Sequence, residues 1–372
     1  MLPAIERPRG RIKERPEDFV VEEIAAYAPQ GSGEHLFVRF TKRDRTTLDA
    51  VRAIARALGC DPRAAGVAGM KDRRAVTTQT ISLQAPRGQS ALELSVRARD
   101  LALDGIQVHE ATPHRHKIKP GHLAGNRFAI TLRGILPGRL DEVGRALESI
   151  AKSGVPNAFG PQRFGIDGRN TERALAWVRG EQRGPRDPRL LRLLWSSLQS
   201  AIFNAVLEAR VADSTWTTPL EGDLLEVRGS GGLFVCSDVQ TDGRRASAGE
   251  ISPTGPMIGV RMRWPEASPL ELERQIVARM LGEGTDLSRT RRVGEGSRRA
   301  LRVWVDDLRW EILASTERES AGPEPAACVR VYFVLPKGAY ATTVLATALA
   351  IDESRGESGG RDDEESTGEF TH

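Results

Sequence analysis

The sequence predicts an α+β fold in which both ends of the chain build one mixed-sheet domain and a second α+β domain is inserted between them. Three observations predict it. Period-two apolar patterns typical of strands fill roughly the first third of the chain and return near residues 301–335. The text changes character at Gly154–Gly168, a stretch rich in glycine and proline. Beyond it runs a wide helical stripe of Leu190, Leu191, Leu194, Trp195, Leu198, Ile202, Phe203 and Val206.

The elements follow in order. After a basic arm, Phe19–Ile24 and His35–Phe40 read as strands around a Gly31-Ser32-Gly33 turn. Thr46 or Thr47 caps a helix that carries Leu48, Val51, Ile54, Ala55 and Leu58 on one face, and Gly59 stops it. Strands are expected at Thr80–Leu83, at Ile106–Val108 and at Arg127–Arg133, where Phe128, Ile130 and Leu132 alternate with outward positions. A helix carrying Leu140, Val143, Leu147 and Ile150 ends by Gly154. Two helical patterns, short strand-like pieces over residues 219–263 and a helix at Leu270–Leu281 make an insert of ~150 residues. Strands return at Leu301–Ile312 and Cys328–Leu335, followed by a final helix over Ala341–Ala350.

Composition narrows the function classes. With 372 residues, 39% hydrophobic and 28% charged, the chain has the make-up of a soluble globular protein of about two domains. No run of ~18 apolar residues is present, so no membrane span is expected. The start, Met1-Leu2-Pro3-Ala4-Ile5, lacks the apolar core of a secretory signal. Cys60, Cys236 and Cys328 are scattered and never in a CxxC spacing, which points to a reducing cytoplasm and away from disulfides or a zinc ribbon. The net charge is +4, but the stretch 352–372 holds eight Asp/Glu and two Arg, so the body is more basic than the total. That acidic, glycine- and serine-rich tail is expected to be disordered. A basic body suits a nucleic-acid partner, and it equally suits an arginine-rich chain without one.

Four segments could carry chemistry. In Gly69-Met70-Lys71-Asp72-Arg73-Arg74 a lone carboxylate stands among cations that favour its charged form and would draw in an anionic polymer. Taken alone it also reads as a solvated strand end. His114-Arg115-His116-Lys117-Ile118-Lys119, with Asn126-Arg127-Phe128 after it, joins cations, an amide and an aromatic, the groups that hold phosphates, base edges and base faces. A charged edge strand with Phe128 in the core fits equally well. A zinc site from His114, His116 and His122 is disfavoured, because no cysteine or carboxylate completes it and the surroundings are cationic. The loop Asn157–Gly165 and the strand-to-helix turn Leu335–Thr343, with Lys337 and Tyr340, complete the set. There is no GxxxxGK[ST] loop and no GxSxG elbow, and Asp306-Asp307 on a strand would point to opposite faces.

In this order the segments resemble the TruD family of tRNA pseudouridine synthases. The resemblance runs from about Arg11 to Leu349 and rests on Pro16-Glu17-Asp18-Phe19-Val20-Val21-Glu22, Gly69–Gln79, Gly125-Asn126-Arg127-Phe128, Val155–Gly165 and Leu335–Thr342, with Thr254-Gly255-Pro256-Met257 inside the insert. It implies a pseudouridine-synthase-type catalytic domain at 1–153 and 304–351, an inserted TRUD domain at 154–303 and the tail at 352–372. It further implies that uridine in tRNA is isomerised to pseudouridine without cofactor or metal, uridine 13 of the D arm being the target in bacterial-sized members. The family nucleophile falls on Asp72, acting on a base flipped out of its stack. Phe19, Asn126, Phe128 and Tyr340 match substrate-binding positions, Tyr340 standing where familiar members carry Phe. Lys13 is the candidate cation for Asp72, and Lys71 a further substrate contact. A cytoplasmic monomer is expected. The alternative is an RNA-binding or RNA-folding protein of the same fold that needs no catalysis.

Overall fold

The computed structural model describes residues 7–165, 167–313 and 326–353. In chain order it places β1 (Arg9–Ile12), β2 (Phe19–Ala25), β3 (His35–Arg43), α1 (Thr47–Leu58), β4 (Gly66–Val67), β5 (Val76–Gln84), α2 (Ala91–Arg99), β6 (Ile106–His114), β7 (Leu123–Ile135) and α3 (Leu140–Ser153). Next come β8 (Val155–Pro156), α4 (Asn170–Val178), α5 (Pro188–Ala212), β9 (Leu224–Val227), β10 (Leu233–Val235), α6 (Val239–Ser247), β11 (Ile251–Met257), α7 (Ala267–Leu281), β12 (Ser297–Ala300) and β13 (Arg302–Val303). The last described elements are β14 (Asp306–Leu313), β15 (Ala327–Pro336), α8 (Ala341–Leu345) and β16 (Ala350–Glu353). The described residues of Met1–Gly144, Asp307–Lys337 and Ala348–His372 form one compact unit; Arg145–Asp306 and Gly338–Thr347 form a second.

The first unit is built on a mixed sheet, ten-stranded among the described residues. Its main path runs β14-β15-β7-β2-β5-β3-β6, while β4 joins β5 and β1 joins both β7 and β16. β2 and β5 run parallel, with Val20 opposite Val76, and β1 runs parallel to β16, with Arg9 opposite Ala350. Alternation decides what each face carries. Leu36, Val38 and Phe40 of β3 are wholly buried in a core with Ile54 and Leu58 of α1 and Leu94 and Ala98 of α2. Burying each large apolar side chain contributes ~1.5–3 kcal/mol before entropy is counted. The helix α1 begins where Thr46 Oγ1 accepts the Asp49 N–H at 3.1 Å and ends at Gly59 with φ +75°.

In the second unit, Trp195, Leu198 and Ile202 of α5 pack with Ala174 and Trp177 of α4 and Leu281 of α7. By length and composition α5 could cross a membrane, a property that a search for uninterrupted apolar runs overlooks. In the fold most of its large apolar side chains are core, Leu193 being exposed. A four-stranded sheet in the order β10-β9-β11-β12 and the pair β13-β8 complete this unit. Gly255 of β11 sits where an added Cβ would lie 3.0 Å from the Phe203 ring, so strand and helix meet at the distance only glycine allows.

Three expectations change. The stretch Leu301–Ile312 is broken into β13, which pairs with β8, and β14, with Asp307 at φ +52° beside the break. The final helix stops at Leu345, and Ala350 turns into a strand whose N–H bonds Pro8 O at 2.9 Å, because β1 would otherwise leave a row of backbone groups unpaired. Asp352 and Glu353 therefore belong to β16, and the rest of the expected acidic tail lies outside the described residues.

Close backbone approach recurs at Gly125 of β7, where a Cβ would meet Leu335 O of β15 at 2.4 Å. Gly125→Ala is expected to cost ~1–3 kcal/mol of stability, read as a lower midpoint in thermal or urea unfolding; an unchanged midpoint would show that the strands yield freely.

Candidate active site

Asp72 lies in the loop between β4 and β5, and five contacts fix that loop to its surroundings. The Lys71 N–H donates to Thr47 Oγ1 at 3.0 Å, and Thr47 in turn donates to Gln79 Oε1 at 3.2 Å. The Lys71 ammonium lies 3.1 Å from Glu23 Oε2 and donates to Asn126 Oδ1 at 2.7 Å. Lys42 Nζ donates to the backbone carbonyl of Asp72 at 2.7 Å, and Arg74 donates to Glu14 O at 2.7 Å. Lys71 and Glu23 have side chains only 8% and 3% exposed, whereas that of Asp72 is 51% exposed. With its neighbour turned inward, Asp72 presents its carboxylate to solvent.

Lys13 Nζ stands 3.3 Å from Asp72 Oδ1, 3.6 Å from Glu353 Oε2 and 4.6 Å from the centre of the Phe19 ring. The backbone turns sharply at Lys13, whose φ of +58° is unusual for a residue with a side chain. Asp18 holds the segment that follows: it accepts the Arg15 N–H at 2.9 Å and a two-pronged bond from Arg133 at 2.7–3.0 Å. Lys13 and Phe19 are thus carried on a braced turn.

Phe19 meets Phe128 edge to face at 6.2 Å, and Phe128 stacks on Phe333 at 5.2 Å. Phe19 and Phe128 are 2% and 6% exposed, so they form an aromatic floor rather than open stacking faces. Asn126 is half-buried with its amide oxygen spent on Lys71. Lys71 itself is an internal support here, not a surface cation. Tyr340 belongs to the second unit, where it precedes α8 and is 66% exposed. Near it, Arg299 lies 4.2 Å over the Phe159 ring and donates to Asn157 Oδ1. Burial pushes Arg299 down to about 10, with Arg163 acting in the same direction and the charges of Glu226 and Tyr340 opposing them. The Asn157–Gly165 loop is tied to α5 by Phe159 N–H on Asn204 Oδ1 at 2.9 Å and by Ser197 Oγ on Arg163 O at 2.8 Å.

Four supports escaped sequence reasoning: Lys42, Thr47, Glu23 and Arg133. Thr47 and Lys42 carried a signal, since a hydroxyl and an amine at positions facing a helix-covered core need partners. Glu23 and Arg133 find theirs only through the sheet's register. Among the described residues no group of three or more His, Cys, Asp or Glu is arranged to hold a metal ion.

A half-exposed carboxylate, held against a lysine above buried aromatics, is equipped for nucleophilic or acid–base work. The family model for tRNA pseudouridine synthase D (TruD) matches residues 4–183 and 186–347. A tRNA pseudouridine synthase D of Anaeromyxobacter sp. (strain Fw109-5) is 41% identical over 90% of this chain and 91% of its own length. That of Geobacter sulfurreducens is 35% identical over 90% and 93%. A crystal structure from Methanosarcina mazei, described as a tRNA pseudouridine synthase D, shares the fold with a TM-score of 0.74 at 24% identity, covering 93% of this chain and 94% of that one. The chain belongs to the tRNA pseudouridine synthase D family and is, with it, a pseudouridine synthase of the isomerase class.

Lys71→Met would leave Glu23 buried and unpaired, a change expected to cost ~3–5 kcal/mol. The double variant Glu23→Gln/Lys71→Met should recover much of that loss in urea unfolding; equal losses in single and double variants would exclude the pair as the cause. Burial also pushes Lys42 down to about 8, against the pull of Asp72. The unfolded chain binds the extra proton between pH 8 and the ordinary lysine range, so this group's penalty is full below pH 8 and fades as pH rises. Relative to Lys42→Met, the wild type should therefore gain stability from pH 8 towards pH 10; a constant difference would contradict it.

Proposed function

We propose that the protein isomerises uridine to pseudouridine in tRNA, at uridine 13 of the D arm, with Asp72 as the nucleophile and without a cofactor. The observation that carries this reading is the Asp72–Lys13 pair at 3.3 Å, which sets a solvent-facing carboxylate beside a fixed positive charge. In the reaction the bond from the sugar to the base nitrogen breaks, and one from the same sugar carbon to a ring carbon forms. That carbon gives up its proton and the freed nitrogen ends with one, so nothing enters or leaves. A carboxylate rooted in a folded loop cannot reach a base inside a helical stack, which is why the uridine must be flipped out.

Lys13 orients one carboxylate oxygen and balances its charge, and Lys42 fixes the backbone behind it. Asn126 and Phe19 bound the pocket, Phe128 supports Phe19 from below, and Tyr340 offers the RNA an open aromatic face on the second unit. The enzyme works in this reading as a cytoplasmic monomer; free, buried Cys60, Cys236 and Cys328 suit a reducing compartment.

Asp72→Asn preserves shape while removing the nucleophile. It should bind a tRNA transcript within about threefold of wild type and lower pseudouridine formation by at least ~10³-fold. Substantial turnover by this variant would sink the assignment, and mapping pseudouridine in tRNA from cells lacking the protein tests position 13.

A further inference from the structure

The His114–Lys119 segment takes no part in the site at Asp72, and the sheet shows why. Phe40 and Lys42 of β3 point to the face that carries the Asp72 loop, and Phe37 and Arg39 point to the other. On that other face the chain after β6 folds over the sheet, with Ile118 packed on Phe37, Ala68 and Leu123.

Two joined hollows open there. One, of about 440 Å³, has apolar walls of Ala25, Pro29, Phe37 and Ile118, with Arg39, Thr80, Thr112 and the carboxylates of Glu23 and Glu110 as polar groups able to meet a base edge. The other, of about 540 Å³, is lined by His35, His116, Arg115, Lys117 and Lys119 and by no carboxylate. They share Tyr27, Ala28 and His122. Each falls within the ~300–1,000 Å³ range of small-ligand sites.

Tyr27 stands between them, 39% exposed, and its orientation is fixed. Its hydroxyl is 2.8 Å from His122 Nδ1, and its ring stacks on His114 at 5.5 Å with planes 22° apart. His114 Nδ1 accepts the Gln30 N–H at 3.3 Å. Burial lowers the pKa values of both His35 and His114, reinforced at His114 by His116 and Arg115, so the charged form of each ring is disfavoured. The positive charge comes from Arg115, Lys117 and Lys119, none of which pairs with a carboxylate among the described residues. His35 Nδ1 is buried with no hydrogen-bond partner among the described residues.

An apolar compartment with polar edges, a rigid aromatic at its mouth and an unneutralised cationic compartment next to it together match one nucleotide. We propose that these hollows bind an unpaired nucleotide of the RNA substrate, its base against Tyr27 and its phosphate against Arg115, Lys117 and Lys119, as a second RNA contact on the face of the sheet opposite Asp72. The proposal rests on the reading that RNA is the partner, and it adds where a second part of that RNA is held. β6 is the outer strand of the sheet's main path, so an RNA can pass round this edge from one face to the other.

The test uses the full chain and a tRNA transcript. Lys117→Gln/Lys119→Gln should weaken tRNA binding ~10-fold at moderate salt and reduce the slope of log K against log salt by about 1–2, while leaving the single-turnover rate at saturating tRNA unchanged. Tyr27→Ala should weaken binding 5–100-fold, roughly the contribution of one stacked base. Tyr27→Phe keeps the ring and should bind as wild type, which separates stacking from folding. Wild-type affinity and salt slope in the lysine variant would overturn the proposal. So would loss of binding to free uridine monophosphate with tRNA binding intact, which would assign the hollows to a free nucleotide. If the wild type binds tRNA through this site and forms no pseudouridine in it, the proposed function fails and the site stands. Pseudouridine formation with no effect of these variants on binding gives the reverse result.

Discussion

Lys71 and Glu23 are buried charges that the protein interior would not tolerate singly, and the arrangement around Asp72 depends on their meeting. The Asn126 amide oxygen accepts a further hydrogen bond from Lys71, so the Asp72 loop is bonded at once to β2 and β7. The steric consequence reaches one residue further. With Lys71 committed inward and the Asp72 carbonyl held by Lys42, the carboxylate has only the outward direction left. The exposure of the Asp72 carboxylate thus follows from the burial of its neighbour.

The same principle recurs in the second unit with a different purpose. Arg298 forks onto Glu273 at 2.6–2.8 Å, and Arg210 onto Asp223 at 2.8–2.9 Å, all four buried. Burial raises the pKa of Glu273, and the Arg298 hydrogen bonds oppose it. These pairs tie β12 to α7, and α5 to the turn before β9, where no apolar contact would specify a register. In the first unit the buried pair orients a site; in the second, such pairs align a scaffold.

Much of this was legible in the sequence. The helix α1 has an apolar stripe, a threonine cap and a glycine stop that agree with one another, and local agreement of that kind survives any tertiary context. Asp72 stood out as one carboxylate among cations. What could not be read was which cation served which end. Lys71 reads as a surface charge because nothing nearby in sequence tells that Glu23 and Asn126 will come to it across two strands. Phe19 and Phe128 read as stacking faces, yet are buried in a floor completed by Phe333 from the far end of the chain. The short final strand failed for a related reason: Ala350–Glu353 has weak propensity and is a strand only because β1 supplies its partner.

That last pairing has a temporal meaning. β1 and β16 come from opposite ends of the chain, and Glu353 at the end of β16 is one of the two carboxylates around Lys13. On the ribosome, Lys13 and Asp72 are made early, but the strand β15 that closes the sheet beside β7 emerges only after residues 145–306 of the second unit, and the strand that brackets Lys13 only after all of it. The second unit is nearly continuous in sequence and can fold as it appears; the first must wait with its sheet half open. The pairing of Lys13 with both carboxylates is therefore incomplete in any nascent chain, and the sheet edges left open until then make the period of synthesis the time of greatest exposure to aggregation.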